Sequence, residues 1–299
     1  MSSLVSLDLS FNCFEGTISS SIFSNLTLLE TLRLSHDRYY GLLLFASFVN
    51  LSSLEVIDLT NNKFEVDTET PSWVSYFQLV FLDLRNTRLN QNYGHVIPLF
   101  IAKQHNLKSL SLSYNYLQGN VPAWLYNNTL FMLSLRNNRL YGGIPVASQF
   151  QASTLLMLNV SDNCLGSILP INVHESFPKL LYLNLSHNAL GGTLASSFDN
   201  LLKITLHWHK ELCGPPLKNE YAFLSPPQQH DKEEEEDGEA RKVWTGMKNL
   251  LLEIIQRCSF ADKVVGQCYK KGNDVVSFDV FLFSKLWHML AASSEIAKD

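Results

Sequence analysis

Residues 180–190 read LLYLNLSHNAL, with Leu180, Leu183, Leu185 and Leu190 framing a single Asn188. In the L-x-L core of this stretch side chains alternate, so Leu183 and Leu185 are expected to enter a core while Asn184 and Ser186 face outward. Asn188 then ends the strand. Its amide is suited to bond main-chain groups in a tight turn, where an unpaired backbone group costs about 1 to 3 kcal/mol.

The same pattern recurs seven more times, as LVSLDLSFNCF, LETLRLSHDRY, LEVIDLTNNKF, LVFLDLRNTRL, LKSLSLSYNYL, LFMLSLRNNRL and LLMLNVSDNCL. The eight copies start at 4, 29, 54, 79, 107, 130, 155 and 180, with steps of 25, 25, 25, 28, 23, 25 and 25. L-x-x-L-x-L-x-x-N-x-L at this period resembles the leucine-rich repeat. No unit buries its leucines alone, so the units are expected to stack into a solenoid, with parallel strands on a concave side and looser segments on the convex side. Stacking also aligns an asparagine ladder of Asn12, Asn62, Asn115, Asn138, Asn163 and Asn188. Asp37 and Thr87 replace the amide and predict weaker rungs.

After the Asn, several units continue as G-x-[I/V]-P: Gly119-Asn-Val121-Pro122 and Gly142-Gly-Ile144-Pro145, with weaker forms at Gly16-Thr-Ile18, Ser167-Ile-Leu169-Pro170 and Gly192-Thr-Leu194. This is similar to the plant extracellular repeats of receptor-like proteins and receptor-like kinases, over residues 1–206. PSWVSYFQLVFLDLRNTRLN and FPKLLYLNLSHNALGGTLASSFDNL look closest to the receptor-like proteins, which lack a kinase. Glu211-Leu-Cys-Gly-Pro-Pro-Leu217 resembles the segment that ends such ectodomains, and the acidic residues 233–237 resemble their juxtamembrane stretch.

The resemblance implies an α/β repeat: a right-handed leucine-rich-repeat solenoid with a parallel β-sheet on the concave face, plus a mostly helical or disordered C-terminal region. Three parts are expected: solenoid at 1–206, degenerate cap motif and acidic linker at 207–242, and a C-terminal segment at 243–299. The chain also departs from the family. It opens inside a repeat, its MSSLVSLDLS start does not read as a secretory signal, and Cys213 lacks the family's nearby partner, leaving Cys258 or Cys268 as substitutes. His207-Trp208-His209 replaces an Asn turn and is read as a broken repeat, not a metal site. Where the family places a membrane helix, Val243, Trp244, Met247, Leu250, Leu251, Ile254, Ile255 and Cys258 fall at the spacing of an amphipathic helix. Residues 275–292 carry Asp279, Lys285 and His288, which are costly in hydrocarbon, so no membrane span is expected there.

With 46% hydrophobic residues the 299-residue chain has ample core, and a net charge of -5 gives it no general attraction for nucleic acid. No phosphate loop, dinucleotide fingerprint, zinc-protease helix, nucleophile elbow or kinase motif set occurs, so neither catalysis nor a cofactor is expected. The outward strand positions form lanes instead. Arg33, Asp58, Phe81, Asp83, Arg85, Tyr114, Met132, Arg136 and Tyr182 are the candidate contacts for a peptide or protein ligand, because aromatic and Arg side chains supply most interface energy. Five N-x-[S/T] sequons, at Asn25, Asn50, Asn127, Asn159 and Asn184, are candidate glycan sites, although N-L-S also arises from the repeat itself. Cys13 and Cys164 follow ladder asparagines and are expected as buried free thiols. By family resemblance the chain is a plasma-membrane or cell-surface recognition module in defence or developmental signalling, with a receptor kinase as co-receptor. The alternative is a soluble leucine-rich-repeat inhibitor of secreted cell-wall hydrolases, or a truncated member without function.

Overall fold

The structure of the protein, a computed structural model, describes residues 3–70, 73–126, 129–144, 153–169, 173–193, 203–205 and 211–213. The chain divides into two compact units, Met1–Phe223 and Leu224–Asp299, and the second lies outside the described residues. So do the acidic run, the expected amphipathic helix, His207-Trp208-His209, Cys258 and Cys268. Among the described residues no helix is long and apolar enough to cross a membrane.

Each L-x-L core forms a three-residue strand, and the strands pair in parallel in sequence order. They are β1 (Ser6–Asp8), β3 (Thr31–Arg33), β5 (Val56–Asp58), β7 (Phe81–Asp83), β9 (Ser109–Ser111), β11 (Met132–Ser134), β13 (Met157–Asn159), β15 (Tyr182–Asn184) and β17 (Lys203–Thr205). The register sets Leu7 against Leu32, then Ile57, Leu82, Leu110, Leu133, Leu158 and Leu183. From Leu32 onward the members of this column are at most 4% exposed. A second column, Leu34, Leu59, Leu84, Leu112, Leu135, Val160 and Leu185, is at most 1% exposed. Each of these side chains stabilises the stack by about 1.5 to 3 kcal/mol relative to an exposed one. The fold is the expected leucine-rich-repeat solenoid, with few helices.

After each turn the chain lays down a lateral strand. β2 (Glu15–Thr17), β4 (Arg38–Leu44), β6 (Lys63–Asp67) and β8 (Arg88–Leu89) form one parallel sheet. A second is made by β10 (Gln118–Asn120), β12 (Arg139–Gly142) and β14 (Cys164–Leu165), and a third by β16 (Gly191–Thr193) and β18 (Glu211–Cys213). The paired strands thus run on to Cys213, past the decayed repeat at residue 206. The break between β8 and β10 falls in the 28-residue unit, whose extra residues form a bulge from Asn90 (φ 50°) through Gly94 (φ 71°) to His95 (φ 55°). The amide of Gln118 bonds the His95 carbonyl at 3.0 Å, so the bulge itself fills the gap. The glycine of the G-x-I-P motif has a local cause: Gly142 sits at φ 83°, and a Cβ there would collide with the Asn120 side-chain amide. Cys13 and Cys164 stand one residue past the ladder asparagines and are exposed free thiols, which corrects the expectation of burial. That position leads into or opens the lateral strand and is exposed, as Arg38, Lys63 and Arg88 are on other coils.

The opposite side is carried by short 3-10 turns at Ser20–Asn25, Phe45–Phe48, Leu99–Lys103 and Ala123–Leu125, with one α-turn at Val173–Ser176. Phe23, Phe45, Phe48 and Phe77 are fully buried there and pack with the partly buried Trp73 and Phe100.

The ladder forms as expected. The Asn138 amide donates to Leu112 O (3.0 Å), Leu135 O (2.9 Å) and Arg136 O (3.3 Å), and accepts from Asn115 N (3.1 Å) and Leu117 N (2.9 Å). The asparagine rungs from Asn62 onward therefore tie their own turns to the preceding coil, whereas the Asn12 side chain on the first coil bonds, among the described residues, only Leu9 O and Ser10 O of its own turn. Thr87 has one hydroxyl in place of an amide and reaches only Leu84 O and Asn115 Oδ1, both at 3.0 Å. Asp37 accepts from Phe14 N at 3.1 Å, but its buried Oδ2 has no hydrogen-bond partner among the described residues.

Candidate functional site

The outward positions of the long sheet fall into lanes because the strands are in register at a spacing of about 4.8 Å. The first lane holds Val56, Phe81, Met132, Met157 and Tyr182, an apolar strip interrupted by Ser109. Phe81, Met132 and Met157 are half-buried, and Tyr182 is buried at 7% exposure. The expectation of a freely exposed Tyr182 therefore gives way to a ring enclosed beside Met157. Met157 was legible from the same register and was missed.

The next lane begins Asp8, Arg33, Asp58, Asp83 and then turns uncharged with Ser111, Ser134, Asn159 and Asn184. Within this lane charge is thus confined to the first four coils. Arg33 Nη1 lies 3.7 Å from Asp8 Oδ2. Arg85 clasps Asp83, with Nε at 3.0 and 2.9 Å from the two carboxylate oxygens and Nη2 at 2.8 Å from Oδ2. This two-point grip covers Asp83, which is 4% exposed. Asp58 accepts from Thr60 N at 3.0 Å. Burial pushes its carboxyl above the usual aspartate range, the charge on Asp83 adds to the shift, and Thr60 and Arg85 pull it back. Sequence reading named Arg33 and Arg85 but not their carboxylate partners as fixed pairs, because pairing depends on rotamers that the lanes do not specify.

Farther along, Arg136 Nε sits 3.0 Å from Asp162 Oδ2 and its guanidinium lies 5.7 Å from the Tyr114 ring centroid. Tyr114 belongs to a lane whose backbone is left-handed in every coil: Phe11, His36, Asn61, Asn86, Tyr114, Asn137, Asp162 and His187 all have φ between 52° and 59°. For residues other than Gly this conformation costs about 1 to 2 kcal/mol, least for Asn and Asp, and the ladder amide one residue later holds it in place. In this lane Phe11 stacks on His36 at 4.3 Å, and Asn86 Nδ2 donates to Asn61 Oδ1 at 3.1 Å. Burial lowers the His36 pKa, Arg85 lowers it further, and Asp83 opposes them. The structure thus gathers Arg33, Asp58, Asp83 and Arg85 at one end of the face and Tyr114 and Arg136 farther along, with Phe81 and Met132 in the lane beside them.

Asn25 and Asn50 are exposed on the turn side, and Asn127 lies outside the described residues. Asn159 and Asn184 are mid-face at 4% and 6% exposure. Each Oδ1 accepts from the amide and hydroxyl two residues on, Ser161 at 3.1 and 2.9 Å and Ser186 at 3.1 and 2.7 Å. Their N-x-S pattern thus closes a strand-end turn, which the repeat needs whether or not a glycan is present. Among the described residues no group of three or more His, Cys, Asp or Glu is arranged to hold a metal ion.

A family model described as Leucine Rich Repeat matches residues 3–26, 106–128 and 179–201. In repeat sequence and in fold the chain is similar to leucine-rich-repeat proteins. Receptor-like protein 32 of Arabidopsis thaliana is 45% identical to it over 58 residues, which are 19% of this chain and 7% of that relative. The crystal structure of a TDR receptor shares the fold, with a TM-score of 0.59 at 22% identity over 71% of this chain and 36% of that one. The ectodomain of the plant membrane receptor kinase GASSHO1/SCHENGEN3 from Arabidopsis thaliana was solved in complex with CASPARIAN STRIP INTEGRITY FACTOR 2. It gives a TM-score of 0.52 at 27% identity over 66% of this chain and 26% of that one. The chain therefore spans a minor part of these three proteins; its likeness to the receptor-like protein rests on 58 residues of sequence, and its likeness to the two receptor structures rests on the fold.

Proposed function

We propose that the long sheet of this protein is a non-catalytic recognition face for an extended peptide or protein segment. The observation that carries the reading is the juxtaposition of an apolar strip, Phe81 and Met132, with the charged lanes of Arg33, Asp58, Asp83 and Arg85 and the Tyr114–Arg136 pair. Half-buried aromatic and Arg side chains, already held by neighbours, lose little conformational entropy when a ligand arrives. The likeness to a receptor ectodomain solved with a bound factor supports the same use. On this reading the chain acts at the plant cell surface in defence or developmental signalling, glycans sit at Asn25 and Asn50, and a separate receptor kinase relays the signal.

The test is selection from a displayed library of random dodecapeptides against the folded protein. Peptides enriched on it should lose tenfold or more in affinity on a Phe81→Ser, Met132→Ser, Arg136→Ala variant whose circular dichroism is unchanged. Arg85 is left in place because its removal strands the buried Asp83. Enriched peptides that bind the variant as tightly as the parent contradict the assignment of this face.

A further inference from the structure

Four rungs of the ladder share one pose. Asn62, Asn138, Asn163 and Asn188 each place Oδ1 on a main-chain amide of the preceding coil: Tyr39 N at 3.1 Å, Leu117 N at 2.9 Å, Leu140 N at 3.1 Å and Leu165 N at 2.9 Å. Each then aims Nδ2 at two aliphatic carbonyls, one on its own coil and one on the coil before. For Asn62 these are Leu59 O at 3.3 Å and Leu34 O at 2.6 Å. Asp37 repeats the first half of the pose, with Oδ1 on Phe14 N at 3.1 Å. Its Oδ2 therefore stands where the other rungs carry an NH2, toward the equivalent carbonyls of Leu34 and Leu9. That oxygen is buried and unpartnered among the described residues. An ionised carboxylate there sets lone pairs against lone pairs in an enclosed turn, whereas a protonated one supplies a donor.

We propose that Asp37 is a proton-locked rung: in the folded chain its carboxyl is the neutral acid, its O–H bonds a main-chain carbonyl of the ladder, and loss of that proton to solvent loosens the first two coils. Burial pushes the group above the ordinary 3.8, while main-chain bonds from Phe14 and Asn12 pull it down without cancelling the shift. Of the groups packed around the rung, the Tyr39 phenol on β4 is itself pushed up, first by burial and then by Asp37. Glu15 on β2, Arg38 on β4, Lys63 on β6 and the Cys13 thiol are exposed, and His36 is stacked under Phe11 with its own pKa lowered by burial. None of these forms an ion pair with Asp37 among the described residues. A folded-state pKa raised above the unfolded one contributes stability that is complete below the unfolded value. It is lost as pH rises through the folded value, by at most tenfold in the opening constant per pH unit for one proton.

Amide hydrogen exchange on the full-length chain from pH 4 to 7.5, corrected for intrinsic rates, tests this at the Phe14 amide and its neighbours. In the parent chain their protection should fall by up to tenfold per pH unit across the titration of Asp37. Asp37→Asn restores an amide rung and should both raise protection about tenfold at neutral pH and abolish the slope. Thr87→Asn refills the other broken rung without removing a titratable group, so it should strengthen its own coil and leave the slope at Phe14 unchanged. An Asp37→Asn chain that keeps the parent's slope overturns the proposal. So does a carboxyl 13C titration that places Asp37 at the ordinary aspartate value.

Discussion

Asn138→Ala should lower the stability of the solenoid by about 3 to 5 kcal/mol, which is a large effect for the loss of one polar side chain. The amide is 8% exposed and takes part in five hydrogen bonds, accepting from Asn115 N and Leu117 N and donating to Leu112 O, Leu135 O and Arg136 O. Truncation leaves two buried N–H groups unpaired at about 1 to 3 kcal/mol each, and weakens carbonyls that have other lone pairs engaged. Coils in a stacked array couple mainly to their neighbours, so the loss is expected to appear first as local opening around coils five and six, not as one cooperative transition. Limited proteolysis and hydrogen exchange across residues 107–144 read this directly. A change below 1 kcal/mol would mean that the ladder is decoration on a stack held by leucines alone.

Phe45→Ala is the second, at about 3 to 5 kcal/mol. Phe45 is fully enclosed, with ring centroids 5.3 Å from Phe48, 5.2 Å from Phe100 and 6.4 Å from Trp73. Phe48 in turn meets Phe23 edge-on at 5.0 Å. The ring therefore joins turns from three coils, and its removal opens a cavity that rigid neighbouring strands cannot close. Urea denaturation followed by the fluorescence of Trp73 and the other tryptophans should show the loss. Phe45→Leu should recover much of it, because an apolar side chain refills part of the space. Equal stability of the alanine variant and the parent would show that the turn side does not share the core.

The fold was legible because its signal is repetitive. Eight leucine frames with one period admit only stacking, and the pairing of Leu7 with Leu32 through to Leu183 follows the spacing residue by residue. What the spacing does not encode is orientation outside the frame. Cys13 and Cys164 were expected inside because they follow ladder asparagines, yet one residue of extended chain reverses the side of the strand. The lateral sheets and their break escaped notice because a 28-residue unit signals extra length without saying where it is spent. The site was legible as lanes but not as pairs: Arg85 folds back on Asp83 of its own coil, and Arg136 reaches Asp162 on the next coil. The left-handed residue before each rung was visible as a position and silent as a conformation, since Phe11 and Tyr114 are not residues that favour it.

The central claim is that successive coils stack with their strands in register, and oxidative cross-linking tests it most directly. Ser111 and Ser134 are Cα partners on adjacent strands, while Ser111 and Asn159 are separated by one intervening strand. Adjacent strands lie about 4.8 Å apart, within the range a disulfide spans, and two strands away the distance of about 9.6 Å exceeds it. Ser111→Cys with Ser134→Cys should therefore yield the linked peptide by mass spectrometry, and Ser111→Cys with Asn159→Cys should not. Equal linkage of both pairs, or linkage of the distant pair alone, would contradict the solenoid and the recognition face built on it.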